Sequence, residues 1–287
     1  MKEAENKVSS KDIGLDITLM MVKFFSGLDD LHYGYWEKGQ EITFQNMIAS
    51  QEAYSEFIIS NIPEGVKTIL DVGSGSGSLA RKMTDKGFKV DCVVPSKVMA
   101  EAIHQKQGEA THVYLSRYED VETDKRYDLV LFSESFQYIP PNIALSKSLG
   151  FLNQGGRILI CDFFKKDTPQ LVKLGGGHTW SKFENALNNL PLEKVNEIDI
   201  TDQTAPTLDL ANKFIKEVFT PCSGMVGKYI SSNYPALAKG IYFFLGKKLD
   251  KVTGKYSDNR YTGDNFRKYK CYKLLIYRDN REGAETA

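Results

Sequence analysis

Residues Ile69-Leu70-Asp71-Val72-Gly73-Ser74-Gly75-Ser76-Gly77-Ser78-Leu79-Ala80 run from an apolar strand through three alternate glycines into a helix. Few folds accommodate such a junction. Glycine at every second position lets main chain approach a ligand where any Cβ would intrude, and commits the segment to a strand, a tight turn and a helix. The spacing differs from the dinucleotide fingerprint GxGxxG, in which the helix N-terminus meets a pyrophosphate. Here Asp71 stands at the strand end, suited to a nucleoside-type ligand carrying an ammonium group rather than two phosphates.

Around that junction short apolar runs alternate with helical segments. Thr68 to Val72, Lys89 to Val94, His112 to Leu115, Leu129 to Phe132 and Arg157 to Asp162 read as strands, with Asn153-Gln154-Gly155-Gly156 as the turn before the fifth. Their apolar residues are consecutive rather than alternating, as in parallel strands covered on both faces. A sixth strand fits Glu193 to Ile200 and a seventh Cys271 to Tyr277; a helix-rich stretch from Asp209 to Phe266 separates them and is expected to cover the substrate side. Before the sheet lie an amphipathic helix over Asp12 to Phe25, an aromatic stretch over Leu31 to Trp36 and a polar helix over Glu41 to Ser60. The expected architecture is α/β: a Rossmann-like, seven-stranded, mostly parallel sheet with an N-terminal helical lid and a helical insertion before the last strand. A chain of 287 residues holds one large core more readily than two. We therefore read a single domain, divided into the lid (1–60), the core with the glycine loop (61–202), the helical cover (203–268) and the final strand and tail (269–287).

Charge narrows the partner. Lys plus Arg and Asp plus Glu both number 37, so no net field draws the chain to nucleic acid or an anionic membrane, and a small molecule is expected. Lys239, Lys247, Lys248, Lys251 and Lys255 beside Ile241-Tyr242-Phe243-Phe244-Leu245 read as a solvated helix face, with peripheral membrane contact the alternative. The apolar runs fall far short of the ~20 residues a membrane-spanning helix needs. Cys92, Cys161, Cys222 and Cys271 form no CxxC pair and follow no signal peptide, so reduced, mostly buried thiols and a cytoplasmic location are expected. His32, His178, Cys161 and Asp162 fall in no metal-ligand spacing, and no metal is expected.

The DxGxGxG pattern after the first strand resembles that of the class I S-adenosylmethionine-dependent methyltransferases. The resemblance runs from about Asp29 through Asp162 and includes the late strand near Cys271 to Tyr277, but not the insertion. It implies S-adenosyl-L-methionine as cofactor, with Gly73, Ser74, Gly75 and Gly77 under its methionine and ribose and Asp71 towards its amino end. It places Tyr118-Glu119-Asp120, after the third strand, against adenine, where a carboxylate accepts from the exocyclic amine in a charge-assisted bond. After the second strand many members carry an acid for the ribose hydroxyls; Val94 stands there, so Ser96, the backbone near Pro95 and the adjoining Met99 are expected to substitute. Cyclopropane-fatty-acid synthases, a branch of the same fold, also lack that acid.

His32-Tyr33-Gly34-Tyr35-Trp36 resembles the HYGYW-like motif of small-molecule methyltransferases, whose tyrosines close over the cofactor. Aromatic faces attract a sulfonium by roughly 0.5 to 2 kcal/mol. His32 and Tyr33 are thereby assigned to the cofactor and Tyr35 to the reacting methyl. At the carboxyl end of the fourth strand, where open α/β sheets bind ligands, Ser133 is expected near the cofactor, and Glu134, Gln137 and Tyr138 are expected to orient the acceptor. The synthases have a Glu-His pair where this chain has Gln137-Tyr138, which counts against lipid cyclopropanation. Gly175-Gly176-Gly177-His178 puts a histidine on a backbone-exposed turn, the first candidate for a base that removes a proton from the acceptor.

The reaction so implied is methyl transfer to oxygen, nitrogen or carbon of a small, apolar or aromatic metabolite, enclosed by Phe214, Phe219, Tyr229, Phe243 and Phe244. The alternatives are a non-catalytic cofactor-binding or regulatory module, a lipid-modifying enzyme, and an RNA methyltransferase. The last predicts a basic face: Lys239 to Lys273 is rich in basic residues but shows no RNA-binding motif.

Overall fold

The computed structural model describes residues 32–108, 111–169, 174–236, 239 and 261–281. Seven strands form one sheet: β1 (Thr68–Val72), β2 (Lys89–Val94), β3 (Val113–Leu115), β4 (Tyr127–Ser133), β5 (Leu152–Lys165), β6 (Leu192–Asp199) and β7 (Lys270–Asp279). Their order is β3-β2-β1-β4-β5-β7-β6. The first five run parallel; β7 lies antiparallel between β5 and β6. The order reverses between β1 and β4, and outside the carboxyl ends of such a neighbouring pair an open sheet leaves a crevice for ligands.

Both sheet faces are covered, which is why β1 and β4 read as continuous apolar runs. Ile69, Leu129, Leu131 and Leu159 pack on one face, Leu70, Val130, Phe132 and Ile158 on the other. The helices are α1 (Phe44–Ser60), α2 (Ser78–Asp85), α3 (Lys97–Gln107), α4 (Pro141–Phe151), α5 (Trp180–Leu187), α6 (Thr201–Thr204), α7 (Pro206–Phe214), α8 (Thr220–Asn233) and α9 (Gly263–Tyr269). One π-helical turn, Ile215–Phe219, joins α7 to α8. The helix expected from Glu41 begins at Phe44 because the Thr43 hydroxyl caps it, accepting the Asn46 N–H at 3.2 Å.

The fifth strand departs most from expectation. Asn153 to Gly156, read as a turn before it, lies within it: Tyr127 pairs with Leu152, but Leu129 already pairs with Arg157. The surplus residues bulge out, with Gly155 at φ +68°. Beyond Asp162 the strand continues to Lys165, held by antiparallel pairing of Phe163, Phe164 and Lys165 with Tyr272, Cys271 and Lys270.

The described part of the insertion is helical as expected. The helix read over Asp12 to Phe25, residues 241–245, and Lys247, Lys248, Lys251 and Lys255 lie outside the described residues. Among the described residues no helix is long and apolar enough to cross a membrane. Cys92, Cys161 and Cys271 are buried free thiols, whereas Cys222 is exposed on α8.

Candidate active site

The glycine loop forms one wall of the crevice. Gly73 leaves β1 at φ +74° and donates its N–H to the Val93 carbonyl at 2.9 Å. A Cβ on Gly73 would lie 2.5 Å from that of Ser135, and one on Gly77 would lie 2.7 Å from Ile103 Cγ1. Packing of the protein itself demands those two glycines. Gly75, at φ +54°, differs, because a Cβ there meets nothing within 4 Å. Its missing side chain leaves open space, the cradle expected where main chain faces a ligand.

Asp71 lies beneath this loop, only 1% exposed. Its Oδ2 has no hydrogen-bond partner, and burial pushes its pKa up to about 7, with the Ser74 hydroxyl opposing. A buried carboxylate oxygen is costly unless a cation or donor reaches it. An orphaned acid beside an open glycine cradle fits the ammonium end of an amino-acid cofactor.

At the end of β2, Val94 is buried and Pro95 exposed. Ser96 caps α3, its oxygen accepting the Met99 N–H at 3.4 Å, which leaves its O–H proton and one lone pair to meet a ribose. Asp91 faces elsewhere, binding the Tyr127 hydroxyl and Lys125 Nζ, each at 2.8 Å. Glu119 and Asp120 sit on a 3-10 turn, half-buried and exposed respectively. Tyr118 corrects the sequence reading. Its ring packs edge-on to Phe132 and its hydroxyl bonds Ser148 at 2.8 Å, so its side chain belongs to the core beneath the sheet.

The opposite wall is built on Glu134, at φ +54°, a backbone conformation rare for a side-chain-bearing residue. Glu134 Oε1 accepts the Tyr33 N–H at 2.7 Å and the Tyr272 hydroxyl at 2.8 Å. Tyr272 and Tyr54 share a hydroxyl contact of 2.7 Å, and Ser133 lies 3.4 Å from the Tyr54 hydroxyl. His32 stacks on Tyr54 with ring centroids 4.8 Å apart. Desolvation raises the pKa of Glu134, the nearby His32 opposing. Read from sequence as an acceptor-orienting acid, Glu134 instead spends Oε1 on tying the aromatic segment to the sheet.

The two tyrosines of that segment diverge. Tyr33 joins Phe163, Phe266 and Tyr272, with centroids 5.9, 5.7 and 5.6 Å away, and burial holds its phenol protonated. Tyr35, expected at the reacting methyl, stacks on Phe57 of α1 at 5.0 Å instead. An extended chain would put residues 33 and 35 on one face; here the backbone departs from that regularity, and one ring meets Phe163 and Phe266 while the other meets Phe57. Trp36 Nε1 and the Gly34 N–H both donate to Thr207 Oγ1, at 2.9 and 3.0 Å, fastening the segment to α7 of the cover.

Gln137 is held by Asp162: its main-chain N–H reaches Oδ2 at 2.9 Å and its Nε2 reaches Oδ1 at 3.3 Å. Tyr138 is 78% exposed at the rim. His178 is not placed as a base. Its Nε2 lies 2.8 Å from the Ile139 carbonyl and 3.3 Å from that of Phe136, so this nitrogen carries a proton and donates. Desolvation lowers its pKa, and the neutral ring latches the glycine loop 175–177 to the turn after β4. Replacing His178 with alanine is expected to lower unfolding free energy by about 1–2 kcal/mol while leaving cofactor affinity within about twofold. Urea unfolding beside calorimetric titration checks this; a large loss of turnover at unchanged stability would restore the base.

Of the expected enclosing residues, Phe214 meets Phe44 edge-on and Tyr229 is exposed on α8; Phe243 and Phe244 lie outside the described residues, as does the Phe219 side chain. Four residues not singled out from sequence as site residues complete the wall: Tyr54, Asp162, Lys270 and Tyr272. Only Asp162 and Tyr272, near strand ends at the crevice, carried a signal in the pattern.

A family model described as a methyltransferase domain matches residues 49–197. Among curated relatives, an uncharacterized methyltransferase of Bacillus cereus is 24% identical over 182 residues, covering 61% of this chain and 84% of the relative. One of Staphylococcus carnosus is 24% identical over 169 residues, covering 56% and 80%. Similar solved structures include the cyclase SpnF, at TM-score 0.64 and 16% identity over 96% of this chain and 97% of that one. The geranyl diphosphate C-methyltransferase of Streptomyces coelicolor A3(2), solved with S-adenosyl-L-homocysteine, gives 0.63 and 15% over 91% of each chain. At such identities a cyclase and a methyltransferase support the same fold and no particular reaction.

Proposed function

This chain belongs to the methyltransferase-domain family and is an S-adenosylmethionine-dependent methyltransferase, and from that premise we propose that it methylates a small molecule held between the Tyr33, Phe163 and Phe266 rings and the carboxyl edge of the sheet. The carrying observation is the unpartnered Oδ2 of Asp71 beside the open Gly75 cradle, facing across the β1/β4 crevice an aromatic wall pinned by Glu134.

In this reading Asp71 and the loop Gly73 to Gly77 hold the methionine end of the cofactor, Ser96 and the main chain around Pro95 and Met99 the ribose, and Glu119 or Asp120 the adenine amine. His32, Tyr33 and Ser133 border the sulfonium. S-adenosylmethionine supplies a methyl carbon already attached to a good leaving group. The chain's own contribution is therefore alignment and exclusion of water, worth up to ~7–11 kcal/mol in well-oriented cases. Tyr33 and Tyr272, both held protonated by burial, orient by hydrogen bonding and do not remove a proton. Gln137, locked by Asp162, and Tyr138 at the rim contact the acceptor. Residues 1–60 act as lid and 203–268 as cover, joined through Thr207.

Incubation with methyl-labelled S-adenosylmethionine and separate pools of phenols, amines, carboxylic acids, lipids and RNA tests the proposal. Label is expected in a small organic product, dependent on folded protein. Label in RNA or lipid alone would overturn it.

A further inference from the structure

Lys270 opens β7 with only 4% of its surface exposed. Its Nζ lies 4.0 Å from the Phe163 ring centroid and 5.9 Å from that of Phe266, and donates to the Gly175 carbonyl. Among the described residues it forms no ion pair. Asp162 is the acid that bears on it, but that carboxylate already receives Gln137 N at 2.9 Å, Phe163 N at 2.8 Å and Gln137 Nε2 at 3.3 Å. Lys165, its register partner across β5 and β7, adds like charge. An ammonium has three donors, and this one matches a single carbonyl. Burying a cation without a counterion is unfavourable, and desolvation lowers its pKa to about 7.

The two rings that cage Lys270 are also the rings that contact Tyr33, so this amine borders the acceptor wall. Gly175, which supplies its carbonyl, has side-chain space blocked by nothing nearer than the Tyr261 hydroxyl at 3.9 Å. We propose that Lys270 is the anion-reading residue of the acceptor site, so that the acceptor is an aromatic or apolar molecule carrying a carboxylate that pairs with Nζ between Phe163 and Phe266. The inference rests on the methyltransferase reading above. A monoanion balances one ammonium, whereas a phosphate dianion would leave a surplus negative charge in a buried site where burial already raises the pKa of Asp162 to about 8 and raises that of Glu134. Pairing restores the charged form of Lys270, so at pH 8 carboxylate binding takes up a proton.

The test uses full-length protein carrying lysine labelled with carbon-13 at Cε and loaded with S-adenosylhomocysteine; the Lys270 resonance is assigned by its loss in Lys270→Arg. Formate and benzoate are each expected to raise the Lys270 titration midpoint by about one unit or more, and formamide and benzamide to leave it in place. In Lys270→Met the preference for benzoate over benzamide falls by about tenfold, while Lys270→Arg keeps it. A midpoint that neither anion moves, in protein that has bound S-adenosylhomocysteine, overturns the proposal. Failure to bind S-adenosylhomocysteine at all would instead strike the methyltransferase reading.

Discussion

Gly75→Val is expected to weaken S-adenosylhomocysteine binding at least about a hundredfold, some 3 kcal/mol, while the protein still folds. The separation is possible because the protein's own atoms leave the Cβ position of Gly75 empty to 4 Å, so a side chain there intrudes only on what occupies the crevice. Its φ of +54° does carry strain for a β-branched residue, of order 1–3 kcal/mol, which should appear as a lowered denaturation midpoint. Gly77→Ala provides the contrast. Its Cβ at 2.7 Å from Ile103 Cγ1 must displace the α2–α3 packing, so stability falls first and binding only as a consequence. Calorimetric titration of both variants beside urea unfolding distinguishes them. Undiminished affinity in a folded Gly75→Val protein would mean that the loop does not line the cofactor site.

The sheet was legible because parallel strands buried on both faces must be apolar at consecutive positions, and β1, β2 and β4 are. The extension of β5 was not, because Phe163 to Lys165 are held by a partner strand more than a hundred residues away, and nothing in their own pattern announces it. The site divides in the same manner. Asp71 and the glycines form a local motif whose spacing has one economical structural solution. Glu134 was placed at the right strand end, but its bonds to Tyr33 and Tyr272, 101 and 138 residues distant, were not legible. The bonds of His178 were not legible either, because a glycine-rich turn looks the same whether its histidine awaits a proton or donates to two carbonyls. Lys270 offered no signal: in sequence it is one of several lysines, and only burial between Phe163 and Phe266 sets it apart.

Asp71→Asn is expected to move stability and binding in opposite directions, and pH supplies the check. The carboxyl of Asp71 has its folded pKa raised by burial to about 7 from an ordinary 3.8. Between those values the native state keeps a proton that the unfolded chain has lost, so stability falls as pH rises through the window. Above pH 7 the full penalty stands, at most about 4 kcal/mol at 1.36 kcal/mol per pH unit. The isosteric amide carries no such penalty, so the variant should match wild type near pH 4 and exceed it at pH 8 when no cofactor is bound. A bound ammonium inverts the balance, because it gives the ionised carboxylate the partner its Oδ2 lacks. Wild-type affinity should therefore weaken as pH drops below about 7, where Asp71 must first lose a proton, while the variant binds about tenfold to a hundredfold more weakly at pH 8 with a flatter profile. Thermal unfolding of the free protein at pH 5 and 8, with S-adenosylhomocysteine titrations across the same range, reads both effects. A variant less stable than wild type at pH 8 would show that the carboxylate is already paired in the free protein, and the ammonium site at Asp71 would fall with it.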